Sequence, residues 1–249
     1  GLIQANHLLY ELSNRYTRQV VPSANVGGLG FSPDGNYLYY SLWDNGLSNT
    51  LYVAPVLGGS PRKLFSGFYG NVAFSPDGKQ VAYDSIEGDT EWLTICNIDG
   101  SGQRKLVSRT GNEFFVISFR VISWSPDGKT LAVPIGTAVP EAMQVAAVSV
   151  ETGEVVPFSR EFKFLANVEW LPDGKSVLLL ASDGARSQAR IWQISYPSGE
   201  AKRLSNELTT FDSFTITRDG STLAAIQTDR NANLWVARGG DSARATQIN

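Results

Sequence analysis

A short turn motif recurs five times along this chain of 249 residues and constrains its fold more than any other feature. Phe31–Gly35, Phe74–Gly78 and Trp124–Gly128 read aromatic-Ser-Pro-Asp-Gly, and Trp170–Gly174 and Ile216–Gly220 are looser copies. The third residues of the copies are at 33, 76, 126, 172 and 218. Repeats of about 40–50 residues made of short apolar runs indicate a solenoid or a propeller.

The motif has the chemistry of a tight turn between two strands. Proline presets φ, serine and aspartate bond the local backbone, and glycine accepts a positive φ, so we predict a type I turn closed by a glycine bulge. The runs after the turn show the period of two that strands have, as in Tyr37–Tyr40 and Val81–Tyr83. The repeated aspartates are therefore predicted to be turn residues and not catalysts: Asp34, Asp77, Asp127, Asp173 and Asp219.

A second hairpin follows the first in each repeat. Leu51–Ala54 precedes Gly58-Gly59, and Leu93–Ile98 precedes Gly100. Four antiparallel strands in each repeat are typical of a propeller blade. We predict an all-β fold, a β-propeller in a single domain over residues 1–249. Its five complete four-stranded blades, numbered 1 to 5 in chain order, are placed at about 26–65, 71–107, 120–158, 166–205 and 213–249.

Residues 1–25 contain two strand-like runs but no Pro-Asp-Gly hairpin. They are predicted to form a two-stranded N-terminal half blade. Because an open edge strand promotes aggregation, we expect this half blade either to belong to a sixth, smaller blade or to mark the chain as a fragment of a larger ring.

Composition argues against several classes of function. The net charge is −3, and no cluster of Lys and Arg exceeds three residues, so we expect no nucleic acid partner for this segment. No apolar run reaches 18 residues, so we expect no membrane insertion by it. The single cysteine, Cys96, lies in a predicted strand, where we expect it to be buried without a disulfide partner.

Residues that could carry catalysis are scarce. His7 is the single histidine, Gly-x-Ser-x-Gly is absent, and one histidine with one cysteine cannot form a standard zinc site. Glu87, Asp89 and Glu91 could be read as a calcium site, but their spacing matches no calcium loop, which favours a solvated loop. We therefore predict no catalytic residue, no metal ligand and no cofactor. The apolar run Phe114–Ile117 fits either the core or a docking patch, and we favour the core.

The loops between the second and third strands of each repeat are the most irregular parts of the chain. In a propeller, equivalent loops emerge on one face and form one composite surface, and recognition commonly lies on loops of a rigid scaffold. We call this surface the loop face. Its predicted binding residues are Trp43, Asp44, Asn45, Glu87, Asp89, Glu91, Asp183, Arg186, Asp229 and Arg230.

The repeat resembles a known family. Phe74–Tyr83, Leu51–Val53, Gly58-Gly59 and Arg62–Leu64 are similar to the parts of the TolB-type, WD-like propeller repeat, and this resemblance covers nearly the whole chain. Four runs look like the C-terminal propellers of bacterial receptor-type serine/threonine kinases and winged-helix regulators: Val20–Pro22, Gly30–Tyr40, Pro55–Leu64 and Asn233–Ala237. In that family a further blade precedes the matching region and more blades follow it.

The resemblance implies the sensor or interaction domain of a larger bacterial signalling protein, located outside the cytoplasm. The glycine-rich loop, His-Arg-Asp and Asp-Phe-Gly motifs of kinases are absent, so we predict no enzyme in this segment. The predicted function is non-catalytic binding of a protein or peptide, on the loop face or in the central channel. The alternative is a propeller enzyme or small-ligand binder, similar to lactonases or lyases, with a metal held by channel carboxylates.

Overall fold

The computed structural model describes residues 8–11, 16–19, 26–32, 34–44, 48–116, 122–138, 141–184, 188–205, 211–217, 219–227, 234–236 and 246–248. These residues form twenty-two β-strands and no helix. Every strand pair among them is antiparallel. The described part of the chain is therefore all-β, as the turn motif predicts.

Blades 1 and 2 form one continuous sheet of seven strands. In order, these are β3 (Val26–Phe31), β4 (Tyr37–Asp44), β5 (Ser48–Pro55), β6 (Arg62–Phe74), β7 (Gln80–Glu87), β8 (Thr90–Asn97) and β9 (Arg104–Thr110). The first half of β6 pairs with β5 as far as Phe68, and the second half pairs with β7 from Tyr69 onward. One strand thus ends blade 1 and begins blade 2.

Blade 3 has an innermost strand in two pieces. Both β10 (Glu113–Phe115) and β11 (Ser123–Trp124) pair with β12 (Thr130–Thr137), and β13 (Ala142–Ser149) and β14 (Val155–Pro157) follow outward. Blade 4 is a regular four-stranded sheet. Its strands are β15 (Phe164–Trp170), β16 (Ser176–Ser182), β17 (Arg190–Ser195) and β18 (Ala201–Arg203).

Three separate hairpins account for the other described strands. The pairs are β1 (Leu8–Glu11) with β2 (Tyr16–Gln19), β19 (Phe211–Ile216) with β20 (Leu223–Gln227), and β21 (Leu234–Val236) with β22 (Thr246–Ile248). The first pair lies in the predicted half blade, and the other two lie in predicted blade 5. The number of blades in the ring and the blade limits stay predictions.

The hydrophobic core lies between neighbouring sheets. Ala82 and Leu93 of blade 2 pack in one cluster with Leu131 and Val133 of blade 3, and a second cluster joins blades 3 and 4. Burying these apolar faces against each other is what holds radial blades together. Cys96 is fully buried, as predicted.

Large aromatic side chains at the ends of the inner strands are buried. Trp124 and Trp170 are 7% and 6% exposed. Phe115 and Val116 are also buried, which confirms the core interpretation for these two residues, whereas Ile117 lies outside the described residues.

The repeated turn has the predicted internal bonding. The Ser75 hydroxyl donates to Asp77 Oδ1 at 2.7 Å, the Lys79 amide donates to the same oxygen at 3.1 Å, and the Gln80 amide donates to Ser75 Oγ at 2.9 Å. The hydrogen bond from Ser75 is the main cause that lowers the pKa of Asp77. The same bonds recur in the turns at Ser125–Thr130 and Thr217–Thr222. These aspartates are therefore engaged in stabilising the turns.

Candidate binding surface

A central cavity of about 850 Å³ lies among the first strands of the five repeats. Aromatic side chains of Phe74, Trp124 and Trp170 line it, together with polar groups of Ser123 and Glu169. Turn residues also line the cavity, which places one end of it beside the Pro-Asp-Gly turns: Ser32, Ser75, Pro76, Pro126, Pro172 and Thr217. The cavity is the channel that a propeller encloses, and sequence analysis named no residue for it.

The channel walls are tied together by hydrogen bonds between blades. The Trp170 amide donates to Ser123 Oγ at 3.0 Å, and the Trp124 indole donates to the Ala73 carbonyl at 3.0 Å. The Ile216 amide donates to Glu169 Oε2 at 3.1 Å. Glu169 is the one carboxylate among the described residues that line the channel, and one of its oxygens accepts the hydrogen bond from the Ile216 amide.

Five of the predicted loop-face residues have described side chains, and a sixth has a described backbone. Trp43 is 39% exposed near the end of β4, and Asp44 is the last residue of that strand. Glu87, Asp89 and Glu91 lie at the β7–β8 connection, and Asp183 lies just after β16. These positions are equivalent ends of second and third strands, so the repeat places them on one face. The other predicted residues, Asn45, Arg186, Asp229 and Arg230, lie outside the described residues.

At the β7–β8 hairpin the loop face has a charged pair on an aromatic ring. Lys105 Nζ is 2.6 Å from Glu87 Oε2 and 4.6 Å from the centre of the Trp92 ring. Asp89 is exposed in the two-residue turn. The hairpin therefore offers exposed charges and an aromatic surface, and both are features of protein recognition.

Blade 4 repeats this arrangement with different residues. Arg160 Nη2 is 3.2 Å from Asp183 Oδ2, and its guanidinium lies 4.8 Å from the Phe162 ring centre and 4.6 Å from that of Trp192. Asp183 was predicted as a binding residue, whereas Arg160 and the two rings were not. Residues 160 and 183 come from different connections, and one sequence without strand register cannot show that they meet.

Glu91 differs from its neighbours, because it faces blade 3. It is half-buried, and its Oε2 accepts a hydrogen bond of 2.7 Å from the Phe115 amide on β10. Burial raises the pKa of Glu91. Asp84, deeper on β7, is 3% exposed, and burial, together with the charge of Glu91, raises its pKa to about 8. This pair of carboxyl groups was not predicted; a charged residue inside the apolar pattern of β7 is the signal that could have found it.

Within the described ranges, no three His, Cys, Asp or Glu residues are grouped so that they could hold a metal ion. No helix of the described chain is long and apolar enough to cross a membrane.

The geometry defines the class of protein: the chain folds as a β-propeller, with antiparallel blades around a channel. Its fold is that of the TolB propellers. A putative TolB from Agrobacterium tumefaciens superposes with a TM-score of 0.69 at 18% identity, over 91% of this chain and 79% of that one. The sequence matches no protein-family model, and a comparison with curated proteins gave no match.

Two structures of other kinds are also similar. An oligogalacturonate lyase from Vibrio parahaemolyticus has a TM-score of 0.63 at 12% identity, over 89% of this chain and 65% of the lyase, so the chain spans less than two thirds of that enzyme. A chain in a nidogen/laminin complex has a TM-score of 0.62 at 13% identity, over 88% of this chain and 80% of that one. At such identities the likeness establishes the fold alone.

Proposed function

We propose that this chain is a non-catalytic propeller that binds a protein or peptide on its loop face. The observation that carries the proposal is the pair of matching clusters at the loop ends of blades 2 and 4. In each, an exposed acid pairs with a base that covers aromatic rings: Glu87 with Lys105, and Asp183 with Arg160. Exposed charges of this kind are typical of the rim of a protein interface, and the half-buried Trp92 adds aromatic surface in blade 2, whereas Phe162 and Trp192 are buried.

The wider setting follows from the resemblance to kinase and regulator propellers. We place the chain as the sensor or interaction domain of a larger bacterial signalling protein, outside the cytoplasm. The structural likeness to a chain in a nidogen/laminin complex supports a protein-binding role, since that structure is a complex between proteins.

A second candidate function is favoured by the size of the channel and by the likeness to a lyase. The channel of about 850 Å³ is large enough for a small ligand, and an oligogalacturonate lyase shares the fold. The candidate is a propeller enzyme or small-ligand binder that uses the channel. Glu169, its one carboxylate in the described lining, would have to supply acid or base chemistry while it also holds the Ile216 amide.

The test is a capture experiment with immobilised chain and a bacterial envelope fraction. We expect the wild-type chain to capture a partner and the triple variant Trp43→Ala/Glu87→Ala/Arg186→Ala to capture none. A control variant on the opposite face, Leu57→Ala, should capture the same partner as the wild type. Leu57 is 94% exposed in the turn after β5, so its truncation leaves the fold intact.

Unchanged capture by the triple variant would show that the loop face is not the binding surface. Turnover of an oligogalacturonide or an ester panel that Glu169→Gln abolishes would instead favour the enzyme. Glutamine keeps an acceptor for the Ile216 amide, so loss of turnover would report lost chemistry and not lost structure.

A further inference from the structure

Asp84 stands out among the buried side chains. It is 3% exposed, and its Oδ1 has no hydrogen-bond partner among the described residues. An ionised carboxylate in such surroundings is strongly unfavourable unless a cation or several donors compensate for the lost hydration. The position therefore requires either a proton or another cation.

A second carboxyl group shares this place between blades 2 and 3. Ala82, two residues before Asp84 on β7, packs against blade 3, and alternation along a strand puts Asp84 on the same face. The Cα partner of Asp84 is Leu93, which also packs toward blade 3, and Glu91 lies two residues before it on β8. Both carboxyl groups therefore face blade 3, and the charge of Glu91 raises the pKa of Asp84.

An irregularity in β6 lies beside these two carboxyl groups. Tyr69 pairs with Asp84 and Ala73 pairs with Ala82, so residues 70–72 lie opposite Tyr83 alone. Asn71 falls within this bulge, and its Oδ1 is also buried without a hydrogen-bond partner among the described residues. The bulge thus places an amide oxygen without a partner next to Asp84 in strand register, at a residue that also lines the central channel.

Among the described residues of this face, Arg109 is basic; its Nη1 is engaged, whereas its Nε is buried without a hydrogen-bond partner. Arg109 is the Cα partner of Glu91, but its Nη1 binds Glu113 Oε2 at 2.7 Å and its guanidinium lies 5.8 Å from the centre of the Phe115 ring. The ion pair of Arg109 is therefore with Glu113 and not with Asp84.

We propose that Asp84, Glu91 and the Asn71 side-chain oxygen form a calcium site between blades 2 and 3. Ca²⁺ accepts carboxylate, amide and water oxygens in flexible arrangements of six to eight ligands, whereas Mg²⁺ demands a regular octahedron. The bound ion would attract both carboxylates and so offset the repulsion between them. Because Glu91 also holds the Phe115 amide, the ion fastens β8 to β10 beside the loop face.

The experiment uses the full chain after treatment with a chelator. Titration with CaCl₂ is followed by calorimetry and by thermal unfolding. We expect one ion to bind and the melting temperature to rise by about 5–10 °C once the ion is near a hundredfold excess over its Kd. Mg²⁺ is expected to bind at least about tenfold more weakly.

Three variants locate the ion. Asp84→Asn is expected to abolish the calcium-dependent shift. Glu91→Gln is expected to weaken binding at least about tenfold, although glutamine can still accept the Phe115 hydrogen bond. Asp89→Asn, in the exposed turn of the same hairpin, is the control and is expected to bind as the wild type does.

The proposal is wrong if about 5 mM Ca²⁺, above the range of weak extracellular sites, gives neither heat nor a shift in the wild-type chain. It is also wrong if Asp84→Asn and Glu91→Gln respond as the wild type does, or if Asp89→Asn removes the response. Should Asp84→Asn fail to fold, Glu91→Gln decides the outcome.

Discussion

The backbone amide of Trp170 donates a hydrogen bond of 3.0 Å to the hydroxyl of Ser123, which lies 47 residues earlier in the chain. The Ile216 amide bonds Glu169 Oε2 across the same separation. In both cases the acceptor side chain lies just before the aromatic position of one repeat, and the donor amide lies at the aromatic position of the next repeat, which is occupied by Trp170 or Ile216. The inner strands at Trp170 and Ile216 are thus each held by a polar side chain of the blade before them.

Removal of the Ser123 hydroxyl should therefore weaken the joint between blades 3 and 4. In Ser123→Ala the amide of Trp170, a residue 6% exposed, loses its acceptor, and an unsatisfied buried amide costs about 1–3 kcal/mol. Urea unfolding measures the loss. The control is Ser60→Ala, at an exposed serine, for which we expect a change within about 0.5 kcal/mol. Equal values for the two variants would contradict the role given to Ser123.

The turn motif also makes a prediction for acid pH. Hydrogen bonds lower the pKa of Asp77, Asp127 and Asp219, for Asp219 to about 2. A carboxyl with a lowered folded-state pKa contributes stability above its unfolded pKa, and that stability is lost as the pH falls through the folded value. We expect the chain to lose stability between about pH 4 and pH 2 through these groups.

The Ser125→Ala variant isolates one such turn. The hydrogen bond from Ser125 is the main cause that lowers the pKa of Asp127, so the variant should raise that pKa toward the ordinary value of 3.8. NMR titration of the aspartate carboxyl carbons measures the shift. Asp77, in the neighbouring blade, serves as the internal control and should not move; a shift of both carboxyls together would point to a global change.

Much of the fold could be predicted from the sequence because its signals are local. Proline, aspartate and glycine determine the turn within five residues, and the flanking runs fix the strands. The connection between blades 1 and 2 was harder to predict. Gly67 and Gly70 look like a break in the sequence, but positive φ angles of 95° and 61° let β6 continue through both. Residues 66–70, which the predicted limits leave between blades, belong to one strand.

The candidate site could be predicted less well because its contacts join distant residues. Trp43, Glu87 and Asp183 were found because loops between second and third strands are irregular in sequence. Arg160 meets Asp183, and Phe115 meets Glu91, only through strand register and blade packing. Asp84 was overlooked because the sequence does not show whether a single charged residue in an apolar strand is buried or exposed.

Two glycines with a positive φ should differ sharply on substitution. Alanine at Gly88, where φ is 60° and nothing lies within 4 Å of a new Cβ, should cost about 1 kcal/mol for the left-handed backbone. At Gly199, where φ is 74°, a Cβ would collide with the Phe158 carbonyl oxygen of the preceding blade. We expect Gly199→Ala to cost more than about 3 kcal/mol. Denaturant unfolding compares the two, and similar losses would show that blades 3 and 4 do not pack closely at this turn.

Asp84 gives the chain a dependence on alkaline pH when calcium is removed by a chelator. Its pKa is about 8 in the folded chain against 3.8 when unfolded. Stability from this group is complete below the unfolded value and is lost as the pH rises to about 8, because the unfolded chain ionises while the folded one keeps its proton. The expected slope is about 1.4 kcal/mol per pH unit.

Asp84→Asn should remove this slope, since an amide is neutral in both states. Glu91 faces the same space with a raised pKa, so Glu91→Gln should reduce the slope as well, while Arg109 stays paired with Glu113. Urea unfolding at intervals from pH 5 to pH 9 measures the slope for each variant. Parallel curves for the wild type and Asp84→Asn would show that the folded chain does not hold this proton, and that Asp84 is hydrated or compensated in a way that its burial does not reveal.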